Sequence, residues 1–263
     1  MRSLRHGIPL LILCALDSVP AAPSDSASNR SVPVGSTREQ TVPPFGGKAL
    51  DTEHGMRPAY SEEHRERYLD GRHVGTFSLF KTPDGGPLGE RELDFTRSTY
   101  MPDYRFKDMR NGYEEGSRVD GDQVHVYFRD SLRAPREEKH LRVPEPRVVN
   151  GGLIPFLKQN WKVLEAGGRL PFNMVVPARL DYYRFVAYGD STLVPSGKET
   201  RGRKCRAVVI EPQNALLRAL LPSIVCVYDV ATLRLVRYQG ISNIADAKGR
   251  SLRVRIDYPG LGP

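Results

Sequence analysis

One stretch of the sequence has the residue order expected around a serine nucleophile. Gly189, Asp190 and Ser191 follow a predicted strand, as the nucleophile does in one class of esterases. Such a serine needs a histidine within hydrogen-bonding distance, and in that class the histidine comes later in the chain. The last histidine here is His140, and the tripeptide is equally typical of a loop. We therefore expect that the protein is not an enzyme.

The histidines give no indication of a metal centre. Beyond the first 22 residues they are His54, His64, His73, His125 and His140, which are scattered without the spacing of metal ligands. The sequence also contains no glycine-rich phosphate loop. We expect no metal and no cofactor.

Arginines in the last strands of the sequence are candidates for contact with an anion. Guanidinium groups bind phosphate or carboxylate in a bidentate manner, and the residues concerned are Arg234, Arg237, Arg253 and Arg255. The alternative is that they lie on the solvated face of an antiparallel sheet.

A set of large apolar residues is the candidate lining of a ligand cavity. Its members belong to one predicted helix and to the strand region after it: Phe156, Trp161, Phe172, Met174, Tyr182 and Phe185. The alternative is ordinary core packing between that helix and a sheet.

The predicted helix positions the first two of these side chains. Leu153, Phe156, Leu157, Trp161 and Leu164 fall on one helical stripe, and a glycine pair ends the helix. The strand that follows alternates apolar and polar residues up to residue 188. A single amphipathic helix beside many strands indicates a helix covering a curved antiparallel sheet.

The rest of the chain predicts short strands joined by tight turns. Asp70-Gly71 and Asp120-Gly121 are hairpin signals, and Pro212 to Leu221 predicts a second short helix. The connections are too short for parallel crossovers. The sequence predicts a mainly β fold over residues 59–258, an antiparallel half-barrel or clam-shaped sheet with a helix in its concave face. Residues 259–263 are a tail.

The beginning of the chain resembles an export signal. Residues 1–22 have two early arginines, an apolar segment from Ile8 to Leu16 and a small-residue cleavage site at Val19-Pro20-Ala21. The apolar segment is too short to span a bilayer. Residues 23–58, rich in Ser, Pro and Gly, predict a disordered linker. We expect a periplasmic or secreted protein without a transmembrane segment in its mature chain.

Cys205 and Cys226 are the only cysteines after the export signal. An oxidising compartment permits them to form a disulfide, because each lies on a predicted strand next to the short helix. The alternative is two buried free thiols, since Cys226 lies within an apolar run.

The formal net charge of +8 allows several classes of partner. A basic balance is typical of proteins that bind nucleic acid or an anionic membrane surface. Export excludes nucleic acid as an expected partner, and leaves lipid, another amphiphile or an envelope protein.

Three segments resemble a known family. Tyr68 to Phe80 contains Tyr-x-Asp-Gly-x-x-Val-Gly-Thr-Phe, the helix over 153–165 leads into the strand 169–188, and residues 232–240 form a turn and strand. In this pattern the chain resembles exported bacterial proteins of unknown function with an incomplete antiparallel barrel. It is more distantly similar to the half-barrel of the outer-membrane lipoprotein carriers, whose concave face holds acyl chains. The resemblance implies fold and location, and transfers no functional residue.

Two functions follow from the sequence. The first is an exported envelope protein that binds a hydrophobic or amphiphilic, lipid-like ligand in a curved sheet. The second is a structural or interaction module of the envelope whose concave face is filled by its own side chains.

Overall fold

Sixteen strands form one large, open and curved sheet in a computed structural model that describes residues 39–197 and 200–258. The strands are β1 (Glu39–Thr41), β2 (Phe45–Asp51), β3 (Arg57–Leu69), β4 (Arg72–Lys81), β5 (Pro87–Asp94), β6 (Asp103–Asp108), β7 (Glu114–Asp120), β8 (Gln123–Arg129), β9 (Glu137–Leu141), β10 (Arg147–Val149), β11 (Arg169–Val176), β12 (Asp181–Asp190), β13 (Cys205–Pro212), β14 (Ile224–Asp229), β15 (Leu235–Ala245) and β16 (Ser251–Asp257). The predicted mainly β class is confirmed.

The strand order follows the chain except at two points. From one edge to the other, the strands run from β10 to β16 and then from β2 to β9. β1 lies off this path and pairs with β3. The described pairs are antiparallel, as the sequence predicts, except that β10 and β11 are parallel. The reason is that the helical segment between these two strands acts as a crossover, which lets β11 run parallel to β10.

The concave face holds a helical segment, as the sequence predicts. It consists of α1 (Leu153–Gln159) and α2 (Trp161–Glu165), with Leu153, Leu157 and Leu164 fully buried. The sequence predicts one continuous helix, but the structure breaks it at Asn160, whose side-chain Nδ2 donates to the Phe156 carbonyl at 2.9 Å. A side chain that binds its own backbone in this way competes with the helical hydrogen bonds.

The second short helix is α3 (Ala215–Leu220), in the connection between β13 and β14. The Asn214 side chain caps it by accepting hydrogen bonds from the backbone N–H groups of Leu216 and Leu217. The predicted hairpin at Asp70-Gly71 also forms. Both residues have positive φ, 49° and 75°, as a two-residue turn of this kind requires.

The predicted linker over 23–58 is wrong for its second part. Residues 39–58 contain β1, β2 and the start of β3, so the described sheet begins at residue 39 rather than 59. β2 lies between β16 and β3, and its inward side chains Phe45 and Ala49 are buried. Sequence reasoning missed it because the Pro and Gly content around it hides a short alternating pattern. The export signal (1–22), residues 23–38 and the tail (259–263) lie outside the described residues.

The two ends of the sheet approach each other without pairing. β9 and β10 are the edge strands, and a 3-10 turn at Pro177–Arg179, between β11 and β12, lies against β7 and β8. There the Ala178 N–H donates to the Glu115 carboxylate at 3.1 Å. The curvature of the half-barrel is therefore held by side chains rather than by a closed strand ladder.

None of the helices in the described part of the chain is long and apolar enough to cross a membrane.

Candidate functional sites

The aromatic and apolar set predicted to line a ligand cavity forms part of the packed interior. Phe156, Trp161, Phe172, Met174 and Phe185 are between 1% and 7% exposed and belong to one continuous apolar cluster. The Phe172 ring lies 5.4 Å from that of Phe156 and 6.0 Å from that of Phe185. Trp161 packs edge-on against Tyr228 at 5.5 Å. These side chains fill the concavity near the helices with one another.

Tyr182 does not share the face of the other five. In the register of β11 and β12, Tyr182 lies opposite Val175, whereas Phe185 lies opposite Phe172. Successive side chains point to opposite faces of a strand, so Tyr182 leaves the strand on the other face, where it is half-buried and packs at the margin of the same apolar cluster.

A chain of buried polar groups crosses the interior beside this core. Glu62 and His64, on β3, face Ser78 on β4 and Arg91 on β5, and all four side chains are at most 4% exposed. His64 Nε2 lies 3.0 Å from Glu62 Oε1, and His64 Nδ1 lies 2.8 Å from Ser78 Oγ. Arg91 Nη2 donates to Ser78 Oγ at 2.9 Å. Tyr258 donates to Glu62 at 2.5 Å, which extends the chain towards the end of β16.

This order of groups is that of a serine–histidine–carboxylate triad. If His64 Nε2 carries the proton and donates to Glu62, its Nδ1 accepts from the Ser78 hydroxyl, as a general base does. However, Ser78 and His64 are fully buried and the arginine already donates to the serine oxygen. No external substrate can reach the oxygen in this arrangement, and its role is to satisfy polar groups inside the sheet.

Glu115 is the centre of a second buried polar group. Its carboxylate accepts hydrogen bonds from Tyr104 at 2.5 Å, Tyr113 at 3.0 Å, Asn243 Nδ2 at 3.2 Å and the Ala178 N–H at 3.1 Å. Burial raises the pKa of Glu115 to about 7, although the donated hydrogen bonds oppose the shift. Burial and the nearby carboxylate also raise the pKa of Tyr104 and Tyr113.

A groove of about 630 Å³ runs across β3 to β8. Its lining includes a row of outer-face side chains in direct register, in which Arg65 faces Phe77, Phe77 faces Glu92 and Glu92 faces Arg105. Tyr127 continues the row beyond Gly116, where a Cβ would lie only 2.4 Å from the tyrosine oxygen. The groove is further lined by outer-face charged residues of both signs, namely Arg67, Asp94, Asp103 and Arg118.

The charges in the groove are balanced. Arg105 lies 3.5 Å from Glu92 and 3.4 Å from Glu114, and Arg136 stacks on the Tyr127 ring with its guanidinium carbon 3.7 Å from the ring centre. Burial raises the pKa of Asp103. Exposed aromatic surface between alternating charges is suited to a polar chain that carries charges of both signs.

The four arginines predicted to contact an anion do not converge on one open site. Arg237 and Arg255 both pair with Asp257, the latter at 3.1 Å, and Arg253 lies 3.3 Å from Glu53. Arg234 is half-buried in the turn before β15. Contact with an external anion stays a prediction, and such an anion would compete with these carboxylates.

The predicted disulfide between Cys205 and Cys226 is wrong, because both thiols are free. Cys226 lies opposite Val208, three residues from Cys205 along the neighbouring strand. An odd separation places Cys205 on the other face of the sheet. Accordingly Cys226 packs in the main core and Cys205 against a small outer cluster around Val227. Burial raises the pKa of the Cys205 thiol.

The serine motif of the sequence forms a surface turn. Asp190 Oδ1 accepts from the Thr192 N–H at 2.9 Å, which begins a 3-10 turn at Ser191–Leu193, and Ser191 is exposed. Among the described residues, no group of three histidine, cysteine or acidic side chains is placed to hold a metal ion.

Sequence reasoning missed the buried polar residues. A usable signal was the alternation in β3, where Tyr60 and Tyr68 are both buried and lie on the same face as Glu62, His64 and Glu66. Glu115 has no comparable signal, because two of its donors, Ala178 and Asn243, lie 63 and 128 residues away in the chain.

Comparisons of this chain with protein-family models, with curated proteins and with solved structures found no match. The resemblance to exported half-barrel proteins therefore stays a prediction.

Proposed function

We propose that this protein is an exported, non-enzymatic interaction module of the cell envelope, and that its binding surface is the outer groove. The observation that carries the proposal is the burial of Phe156, Trp161, Phe172, Met174 and Phe185, between 1% and 7% exposed, in one cluster. A carrier that holds an acyl chain needs an open concave face. Here the side chains that would line that face are in contact with one another.

The interior is also polar at a place where an acyl chain would have to extend. The chain from Glu62 through His64 and Ser78 to Arg91 occupies the inner face of β3 to β5. Inserting a hydrocarbon there would break hydrogen bonds of buried groups, which is costly in a low-dielectric interior. This supports an interaction module over a lipid carrier.

The outer groove offers the surface that the interior lacks. Its volume of about 630 Å³ lies in the range of ligand-binding clefts. Phe77 and Tyr127 provide half-exposed aromatic surface, and arginine and acidic side chains alternate around them. An extended segment of an envelope protein, with charges of both signs, matches this lining.

The lipid alternative is tested with Trp161, the only tryptophan of the chain. Titration of the purified protein with fatty acid or phospholipid is expected to leave its emission unchanged, because its surroundings are already packed. A saturable shift, together with lipid retained in native mass spectrometry of protein from its own envelope, would overturn the proposal in favour of a carrier.

The groove is tested on the same native sample. We expect a complex with a polypeptide partner that Phe77→Ser removes, because this side chain lies in the groove lining. Leu79→Ser is the matched control, since Leu79 lies on the same face of β4, is also half-buried and is outside the lining. Equal loss with both variants, or a chain that carries no polypeptide at all, contradicts the groove.

A further inference from the structure

The connection between β13 and β14 presents an apolar surface to solvent. α3 has no buried residue, and Leu216 and Leu220 are 71% and 66% exposed. They lie four residues apart, so they share one face of the helix. Soluble proteins expose single apolar residues commonly, but two exposed leucines on one face of a helix, beside the half-buried Leu217, form a patch typical of an interaction site.

The charges around α3 are mostly positive. Arg218 on the helix and Arg169 on β11 both pair with Glu211, at 3.2 and 3.5 Å. Arg184 is exposed on the adjacent β12, and its carbonyl accepts from the Gln213 N–H at 2.9 Å. The sequence from Gln213 to Ser223 contains no acidic residue. The helix and the strands next to it therefore carry three arginines and one glutamate.

We propose that α3 docks the protein on an anionic phospholipid surface. Leu216 and Leu220 enter the boundary between headgroups and acyl chains, and the arginines contact lipid phosphates. Amphipathic helices bind bilayers through this combination of inserted apolar side chains and basic flanks. Each arginine near an anionic leaflet adds attraction that depends on salt.

The exposed helix and its charge favour a bilayer over a protein partner. The exposed leucines lie on a short helix in the connection between β13 and β14. Guanidinium groups match phosphate in a bidentate way. The formal net charge of the whole chain, +8, also favours approach to an anionic surface. The inference goes beyond the proposed function, because the groove is formed by β3 to β8 whereas α3 connects β13 to β14.

The test is sedimentation of the full chain with vesicles of phosphatidylcholine alone, or of phosphatidylcholine and phosphatidylglycerol in equal amounts. We expect binding to the anionic vesicles that is lost at about 0.5 M salt, where charges are screened beyond a few ångströms. The double variant Leu216→Ser/Leu220→Ser is expected to lower the partition coefficient about tenfold, because it removes the apolar part of the contact.

The matched control is Leu132→Ser, since Leu132 is 73% exposed elsewhere on the surface. It is expected to bind vesicles as the unchanged chain does. Equal loss with the control, equal binding to neutral vesicles, or no binding at low salt would overturn the proposal. So would a dimer in solution that the double serine variant separates, because a second copy would then be the partner of α3. Phe77→Ser, which alters the groove, is expected to bind vesicles as the unchanged chain does, so the two proposals are tested separately.

Discussion

At the scale of single residues, buried polar groups connect parts of the sheet that are not neighbours. Glu115 joins β7 to β6, β15 and the 3-10 turn at Pro177–Arg179 through four donated hydrogen bonds. Since the turn and β7 belong to opposite ends of the sheet order, this carboxylate connects parts of the sheet that no strand ladder joins.

The ionisation of Glu115 is expected to make stability depend on pH. Burial raises the pKa of Glu115 from 4.5 to about 7. A folded pKa above the unfolded one gives stability that is present at low pH and is lost as the pH rises through 7. Between pH 5 and 8 the free energy of unfolding should fall by about 2.5 kcal/mol through this group.

The measurement is denaturant unfolding at both pH values for the unchanged chain and for Glu115→Gln. The variant should lack this part of the pH dependence, because its side chain does not ionise. Glu114→Gln is the control, as the neighbouring side chain lies on the outer face and pairs with Arg105. An equal pH dependence in the unchanged chain and Glu115→Gln would contradict the expectation.

The two cysteines give a second expectation at this scale. In a chain carrying Cys14→Ser, denaturation without reductant should release two reactive thiols, because Cys205 and Cys226 lie on opposite faces. In the native protein only the half-buried Cys205 should react, and slowly, since burial raises the pKa of its thiol. Cys205→Ser should remove this native reaction. If the denatured chain has no free thiols, Cys205 and Cys226 form a disulfide after all.

At the scale of elements, β2 is the strand that makes the sheet continuous. It pairs with β16 on one side and with β3 on the other, so it joins the C-terminal strands to the N-terminal ones. Gly46 lies where a Cβ would be 1.9 Å from the Glu62 carbonyl oxygen, so a larger residue requires the backbone to move.

Gly46→Ala is therefore expected to lower the free energy of unfolding by roughly 1–3 kcal/mol, the usual cost of forcing extra atoms into packed structure. Urea unfolding measures the change. Lys48→Ala, at an exposed position of the same strand, should stay within about 0.5 kcal/mol of the unchanged chain. Similar stability for both variants would mean that β2 does not pair as described.

At the scale of the whole molecule, the sheet is open, and we expect its curvature to require all of its strands. A chain shortened to residues 39–258 keeps all sixteen strands, whereas one shortened to 52–258 loses β1 and β2. The second chain leaves facing edges of β16 and β3 unpaired and removes the buried Phe45 and Ala49. Unpaired strand edges are a template for aggregation.

We expect the 39–258 chain to unfold in one cooperative thermal transition and the 52–258 chain to aggregate or to lack such a transition. Circular dichroism with size-exclusion chromatography distinguishes the two. If the 52–258 chain unfolds cooperatively at the same temperature as the longer chain, β1 and β2 are not needed for the stability of the fold. Residues 39–51 would then act as the linker that the sequence predicts.

The sequence by itself determined the features that depend on near neighbours in the chain. The Asp70-Gly71 pair predicted the first long hairpin, and the stripe through Trp161 predicted the buried helical face. Each rests on a local period or on a turn that two residues specify.

Only the tertiary structure decided which strands are neighbours and how their residues align. Register placed Cys205 and Cys226 on opposite faces, separated Tyr182 from Phe185, and brought His64 against Ser78. The place of β2 depends on β16, some two hundred residues later in the chain. The physical reason is that a shift of one residue in strand pairing reverses every side chain, and contacts between distant segments fix that shift.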